Sequence, residues 1–144
     1  MTVASILKHK GNTVVAVQPG ASLSEAARVL REKRIGAVVV LGAGRRVVGI
    51  LSERDIISAI AEAGHTALDC PLNDFMTADV KTCRLEDSIQ HVMEVMTRGR
   101  FRHLPVVENG ELVGLVSIGD VVKRRLDEAA LETDSLKRYI AAAG

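Results

Sequence analysis

Apolar positions fall into short runs whose spacing changes in a regular order along the chain. Val14-Val15-Ala16-Val17 is a brief apolar run closed by Pro19-Gly20, which predicts a short strand and a turn. Ser22 follows, with Glu25 three residues on, a capping box that opens a helix. The apolar face of that helix is Leu23, Ala26, Ala27, Leu30 and Ile35, and Gly36 is the expected breaker. Residues 37–41 and 47–51 are continuous apolar runs joined through Gly42-Ala43-Gly44-Arg45, which predicts an antiparallel hairpin buried on both faces. A helix is predicted over 55–63, with Gly64 as its C-cap. It carries Ile56, Ile57, Ala59, Ile60 and Ala61, so it is apolar almost all round and calls for cover on more than one side.

After a link over 64–71 the same order returns. A strand is predicted at 80–83, a helix at 88–98 stopped by Gly99, and strands at 104–107 and 112–116. Asn109-Gly110 between those strands is a strong hairpin signal. A helix follows at 119–130. Residues 3–7 suggest a short amphipathic turn. Leu131, Leu136, Tyr139 and Ile140 predict a last helix, capped at Thr133 or Asp134.

The recurrence is a true internal repeat. Ser22 aligns with Ser88 at an offset of 66, and the match runs from Val14/Val80 to Gly44/Gly110. One residue is then lost, and Gly49/Gly114, Ser52/Ser117 and Asp55/Asp120 follow at an offset of 65. Upstream, residues 3–7 align with 72–76 at an offset of 69. The chain therefore reads as repeats over 1–66 and 67–130, each β-α-β-β-α, with a helical tail over 131–144. The fold class is α+β, with two small sheets packed with helices around a central cleft between the repeats.

Function is expected at the strand-to-helix junctions Gly49-Ile50-Leu51-Ser52-Glu53-Arg54-Asp55 and Gly114-Leu115-Val116-Ser117-Ile118-Gly119-Asp120. A helix N-terminus offers unpaired N–H groups and a partial positive charge to a phosphate. A Ser hydroxyl can donate to a phosphate oxygen, and an Asp carboxylate can accept from the two hydroxyls of a ribose. Together these groups describe a nucleotide site. The same residues also satisfy a capping box, with no ligand at all. Gly119 fits either close approach of a ligand or a weakly constrained position. Arg98, Arg100, Arg102 and His103 form a basic edge that can meet phosphates or simply face water. Pro105 removes a ladder donor in the strand that follows.

Composition narrows the classes. With 47% hydrophobic and 26% charged residues, the 144-residue chain is globular, and with 2% aromatic residues its core is aliphatic. A net charge of +1 and the lack of aromatic platforms disfavour nucleic acid and anionic membranes as partners. No apolar stretch approaches a membrane span of roughly 20 residues. Lys8-His9-Lys10-Gly11-Asn12 interrupts any secretory signal, so the expectation is a soluble cytoplasmic protein. Cys70 and Cys83 form no CxxC, and His9, His65, His91 and His103 are scattered, so no metal is expected.

Two units ending in Gly-h-h-Ser-x-x-Asp (h being apolar), with Asp74-Phe75-Met76-Thr77 and Arg102-His103-Leu104-Pro105-Val106-Val107 in the second, resemble a stand-alone pair of CBS domains, or Bateman module. The resemblance spans about residues 3 to 130 and implies a flat homodimer. It also implies an adenosine-containing ligand in the cleft, with AMP first among AMP, ADP, ATP, NAD or NADH, and S-adenosylmethionine. Carried over by motif, Asp55 and Asp120 would hold ribose hydroxyls, and Ser52 and Ser117 would touch ribose or phosphate. Arg102 and His103 would lie near phosphate, with Leu104 and Pro105 beside the base. Val14 and, in the second repeat, Val80 to Thr82 would line the pocket. The first repeat has Gly36-Ala37-Val38-Val39 where the second has Arg102-His103-Leu104-Pro105, but keeps Arg54 where the second has Gly119. The second site is therefore expected to be the more typical pocket.

The leading expectation is a non-catalytic regulatory module that senses adenine nucleotides and signals energy or redox state to a separate, unknown partner. The alternative is a structural dimeric adaptor whose Ser-x-x-Asp motifs only cap helices. An enzyme is disfavoured, because the chain carries no Gly-x-Ser-x-Gly elbow, Walker loop or metal cluster.

Overall fold

A computed structural model describes residues 1–143. Helix α1 (Val3–Lys10) is followed by β1 (Ala16–Val17), α2 (Leu23–Lys33), β2 (Ala37–Leu41), β3 (Val47–Ser52) and α3 (Glu53–Ala63). Short 3-10 turns cross the link, and α4 (Ile89–Gly99), β4 (His103–Glu108), β5 (Glu111–Ser117) and α5 (Ile118–Ala143) complete the chain. One sheet has the order β1-β2-β3, with β1 parallel and β3 antiparallel to β2. The other is the antiparallel pair β4-β5.

Local sequence explains most boundaries. Ser22 and Ser88 cap α2 and α4, accepting from the Glu25 and His91 amides at 3.1 and 3.0 Å. Asn109 and Gly110, at φ 52° and 79°, form the tight turn of the second hairpin, which needs positive φ at both positions. The helix stops differ from those expected. Arg34 and Arg100, both left-handed at φ 54° and 56°, end α2 and α4 rather than Gly36 and Gly99. Gly99 lies inside α4, where a Cβ would run into the Phe101 ring.

Register brings the two junctions to matching places. Ala37 pairs with Ser52 across the first hairpin, and His103 with Ser117 across the second. Each junction therefore stands beside the start of its own hairpin.

The cores exchange their N-terminal segments. Val3, Ile6 and Leu7 of α1 are buried with Ile89, Val92, Met96, Leu104 and Val116 of the second repeat. Leu72, with Phe75 and Met76, packs with Leu23, Leu30, Val38 and Leu51 of the first. Arg45 adds a tie, donating from Nε and Nη2 to the Leu112 carbonyl at 3.3 and 3.1 Å.

Three sequence expectations need correction. The strand expected at 80–83 is a single bridge, Cys83 to Val106, because Lys81 and Thr82 are exposed and only Cys83 packs against β4. The strand expected at 14–17 shortens to Ala16–Val17. No break separates residues 119–130 from the tail: α5 runs through as one helix of 26 residues, and neither Thr133 nor Asp134 caps a new one. After Gly119 in its first turn, no Gly or Pro occurs through Ala143, so nothing stops the helix.

Candidate functional site

Both junctions form the same local device. At the first, the Ser52 amide and hydroxyl donate to Asp55 Oδ2 at 2.9 and 3.1 Å, and the Asp55 amide donates to Ser52 Oγ at 3.3 Å. At the second, the Ser117 amide donates to Asp120 Oδ2 at 2.9 Å, and the Asp120 amide donates to Ser117 Oγ at 3.1 Å. These bonds fix each carboxylate at the first turn of a helix, where the dipole favours negative charge. Each cap uses one carboxylate oxygen, Oδ2. A Cβ on Gly119 would meet only Ser117 Oγ, at 3.6 Å, so packing does not demand glycine there.

A cleft of about 580 Å³ opens at the first junction, a size typical of small-molecule sites. Gly36 just before β2, Ala37 of β2, Ile50 of β3 and Ser52, Glu53, Arg54 and Asp55 at the start of α3 form one wall. The second repeat forms the other, through Thr77, Asp79, Val80 and Lys81 and through Arg100, Phe101, Arg102 and His103. Arg54, Lys81, Arg100 and Arg102 supply cations, while Glu53, Asp55 and Asp79 supply acceptors. The arrangement suits a ligand with an anionic end and neutral hydroxyl donors.

Across the molecule the starts of β2 and β4 abut: a Cβ on Gly36 would lie 3.6 Å from both His103 Cε1 and Glu53 Oε1. This contact turns Arg102 and His103 toward the Asp55 cleft, whereas the sequence paired them with Asp120. His103 is held below the usual imidazole range, chiefly by burial, with Lys10 and Arg102 adding to the effect and Asp120 and Glu53 opposing it. It therefore feels both junctions.

At the second junction a smaller depression of about 240 Å³ is lined by Ile6, His9, Lys10, Asp120, Lys123 and others of α5. Lys10 Nζ donates to Asp120 Oδ2 at 2.6 Å and to the Leu115 carbonyl at 2.8 Å. Burial raises the Asp120 pKa, but the bonds from Lys10 and Ser117 outweigh it and hold the carboxyl below its usual range.

Of the residues singled out from sequence, Ala37, Ser52, Arg54, Asp55, Val80, Arg102 and His103 line the larger cleft. Asp120 lies in the smaller one. Leu104 is buried in the second core, and Pro105 is buried in β4 with its carbonyl accepting from the Cys83 amide at 2.9 Å. Neither lines a cleft wall, nor do Val14, Thr82, Ser117 and Gly119. Sequence reasoning missed Lys10, Glu53 and Asp79, whereas Arg100 belongs to the basic edge and Lys81 to the stretch it sets at the pocket. Extending the 69-residue offset would have set Lys10 against Asp79 and drawn attention to both.

Burial, with Asp87 nearby, pushes the Cys83 thiol up to about 12, so it stays protonated and inert. Among the described residues no group of three or more His, Cys, Asp or Glu is placed to hold a metal ion. No described helix is long and apolar enough to cross a membrane.

Residues 5–62 and 72–127 each match the CBS domain. The chain belongs to the CBS-domain family. Its fold matches the crystal structure of the CBS-domain containing protein ATU1752 from Agrobacterium tumefaciens, with a TM-score of 0.84 and 46% identity over 87% of this chain and 99% of that one. The CBS domain protein PAE2072 from Pyrobaculum aerophilum, solved in complex with AMP, matches with a TM-score of 0.75 and 32% identity, covering 83% of this chain and 89% of that one. The mitochondrial CBS domain-containing protein CBSX3 of Arabidopsis thaliana is 30% identical over 96% of this chain and 71% of its own length. The two CBS repeats thus account for both junctions.

Proposed function

We propose that this CBS pair is a regulatory module that binds an adenosine-containing nucleotide in the 580 Å³ cleft at Asp55. AMP leads the candidates, ahead of ADP, ATP, NAD or NADH, and S-adenosylmethionine. The observation that carries the reading is a capped acidic residue in one cleft with four cations, Arg54 beside it and Lys81, Arg100 and Arg102 on the opposite wall. Asp55 accepts from the ribose hydroxyls, and Arg54, Lys81, Arg100 and Arg102 receive the phosphate. The relative that binds AMP supports the same ligand class. The repeats are taken as residues 1–66 and 67–130, with 131–144 extending α5.

Because both repeats supply walls, a bound nucleotide alters their packing, and that change is the signal to a separate partner. A homodimer belongs to this reading. Ile57 and Val122, equivalent positions of the two repeats, are 68% and 47% exposed, which leaves apolar surface for a second copy. A cytoplasmic location also belongs to it, supported by the free thiols of Cys70 and Cys83. No catalytic step is assigned.

One observation favours the adaptor alternative: the Ser52–Asp55 capping box is already complete without a ligand. A thermal-shift panel with all the candidate ligands separates the two. Ligand at a hundred times its Kd should stabilise by roughly 2.7 kcal/mol, a rise of several degrees for a domain of this size. Loss of that rise in Asp55→Ala supports the sensor. No rise with any ligand leaves Asp55 as a helix cap and the chain as an adaptor.

A further inference from the structure

The two carboxylates share a motif but not a neighbour. The offset of 69 that pairs Leu7 with Met76 also pairs Lys10 with Asp79. Packing bears out that alignment: Leu7 lies on Gly114 and Met76 on Gly49. Ahead of the first junction the chain leaves its turn at Thr77 and pairs with β3, Ile50 N donating to Thr77 O at 3.0 Å and Thr77 N to Ile50 O at 2.9 Å. Ahead of the second junction α1 continues to Lys10 instead. The Leu115 carbonyl, equivalent to that of Ile50, then takes the Lys10 ammonium at 2.8 Å, and the same ammonium reaches Asp120 at 2.6 Å.

The ammonium therefore sits against the Asp120 carboxylate, on the cap oxygen Oδ2, and occupies the side from which a ribose would approach that group. Charge-assisted hydrogen bonds are roughly twice as strong as neutral ones, so neutral sugar hydroxyls cannot displace it on equal terms. In the first cleft the aligned residue is Asp79, an acid that cannot pair with Asp55. One cleft stays open at about 580 Å³, and the other is reduced to about 240 Å³.

We propose that Lys10 holds the second of the two duplicated sites shut, so that each chain takes one nucleotide, at Asp55. The inference rests on the nucleotide reading above and makes Lys10 the residue that sets the stoichiometry.

Isothermal titration with AMP tests it on the full chain as wild type, Lys10→Ala, Lys10→Met and Lys10→Ala/Asp120→Ala. Lys10→Met keeps most of the alkyl stem packed, and circular dichroism melts confirm that each variant is folded. One equivalent per chain is expected for wild type, and a second in both single variants. The double variant should return to one. Two equivalents in wild type overturn the inference, as does a count unchanged or lowered by removing Lys10. AMP binding to none of the proteins instead removes the nucleotide reading, and this inference falls with it.

Discussion

Leu7 and Gly114 meet across the two repeats: a Cβ added at Gly114 would stand 2.5 Å from Leu7 Cδ1 and 2.9 Å from Cδ2. The motif glycine thus serves the seating of α1 on β5, and through it the position of Lys10. Gly114→Ala should cost about 1–3 kcal/mol, because both methyls of a buried, branched side chain must move. Gly49→Ala should cost about 1 kcal/mol or less, since its neighbour Met76 is unbranched and can turn aside. Urea unfolding checks this: the Gly114 variant should show the lower midpoint at an unchanged slope.

In the proposed complex Arg102 meets the phosphate rather than the nucleoside. A hydrogen bond to a charged group is worth about 1.5–3 kcal/mol. Arg102→Ala should therefore weaken AMP at least about tenfold while leaving adenosine affinity unchanged. Parallel titrations with the two ligands read the difference. An equal loss for both would place Arg102 against the sugar or the base.

His103 predicts an acid-sensitive fold. Burial, Lys10 and Arg102 lower its pKa in the folded chain, against the pull of Asp120 and Glu53. The unfolded chain, with an ordinary value near 6.5, then binds the proton more readily. Stability should fall as pH drops below about 6.5 and level off once the folded imidazole also titrates. Denaturant midpoints between pH 7.5 and 5 measure the fall, and His103→Gln should flatten it.

Much of this was legible in the chain because the repeat states each feature twice. The capping serines, both hairpins and the apolar face of α2 follow from local chemistry alone. Other features depend on which unit packs on which. Arg102 and His103 share a repeat with Asp120, yet the abutting starts of β2 and β4 give them to Asp55. The exchange of α1 and residues 72–76 between cores leaves no local signal, since each segment is equally apolar in either place. Lys10 read as a charge in a polar stretch because only tertiary contact brings it to Asp120.

The exposed faces of α3 and α5 predict the assembly. Ile57, Ile60, Ile118 and Val122 are between 42% and 68% exposed. Side chains this apolar on neighbouring turns mark an interface. Sedimentation equilibrium should give twice the chain mass of 15.4 kDa for wild type. Ile57→Glu/Val122→Glu places a charge on each repeat's exposed position and should yield monomers that melt as folded chains. Burying an unpaired carboxylate is costly, whereas the same group in water is not. If the double variant keeps the wild-type mass, the dimer forms elsewhere, and the Leu126, Leu136 and Ile140 stripe of α5, exposed at 59–65%, becomes the next face to charge.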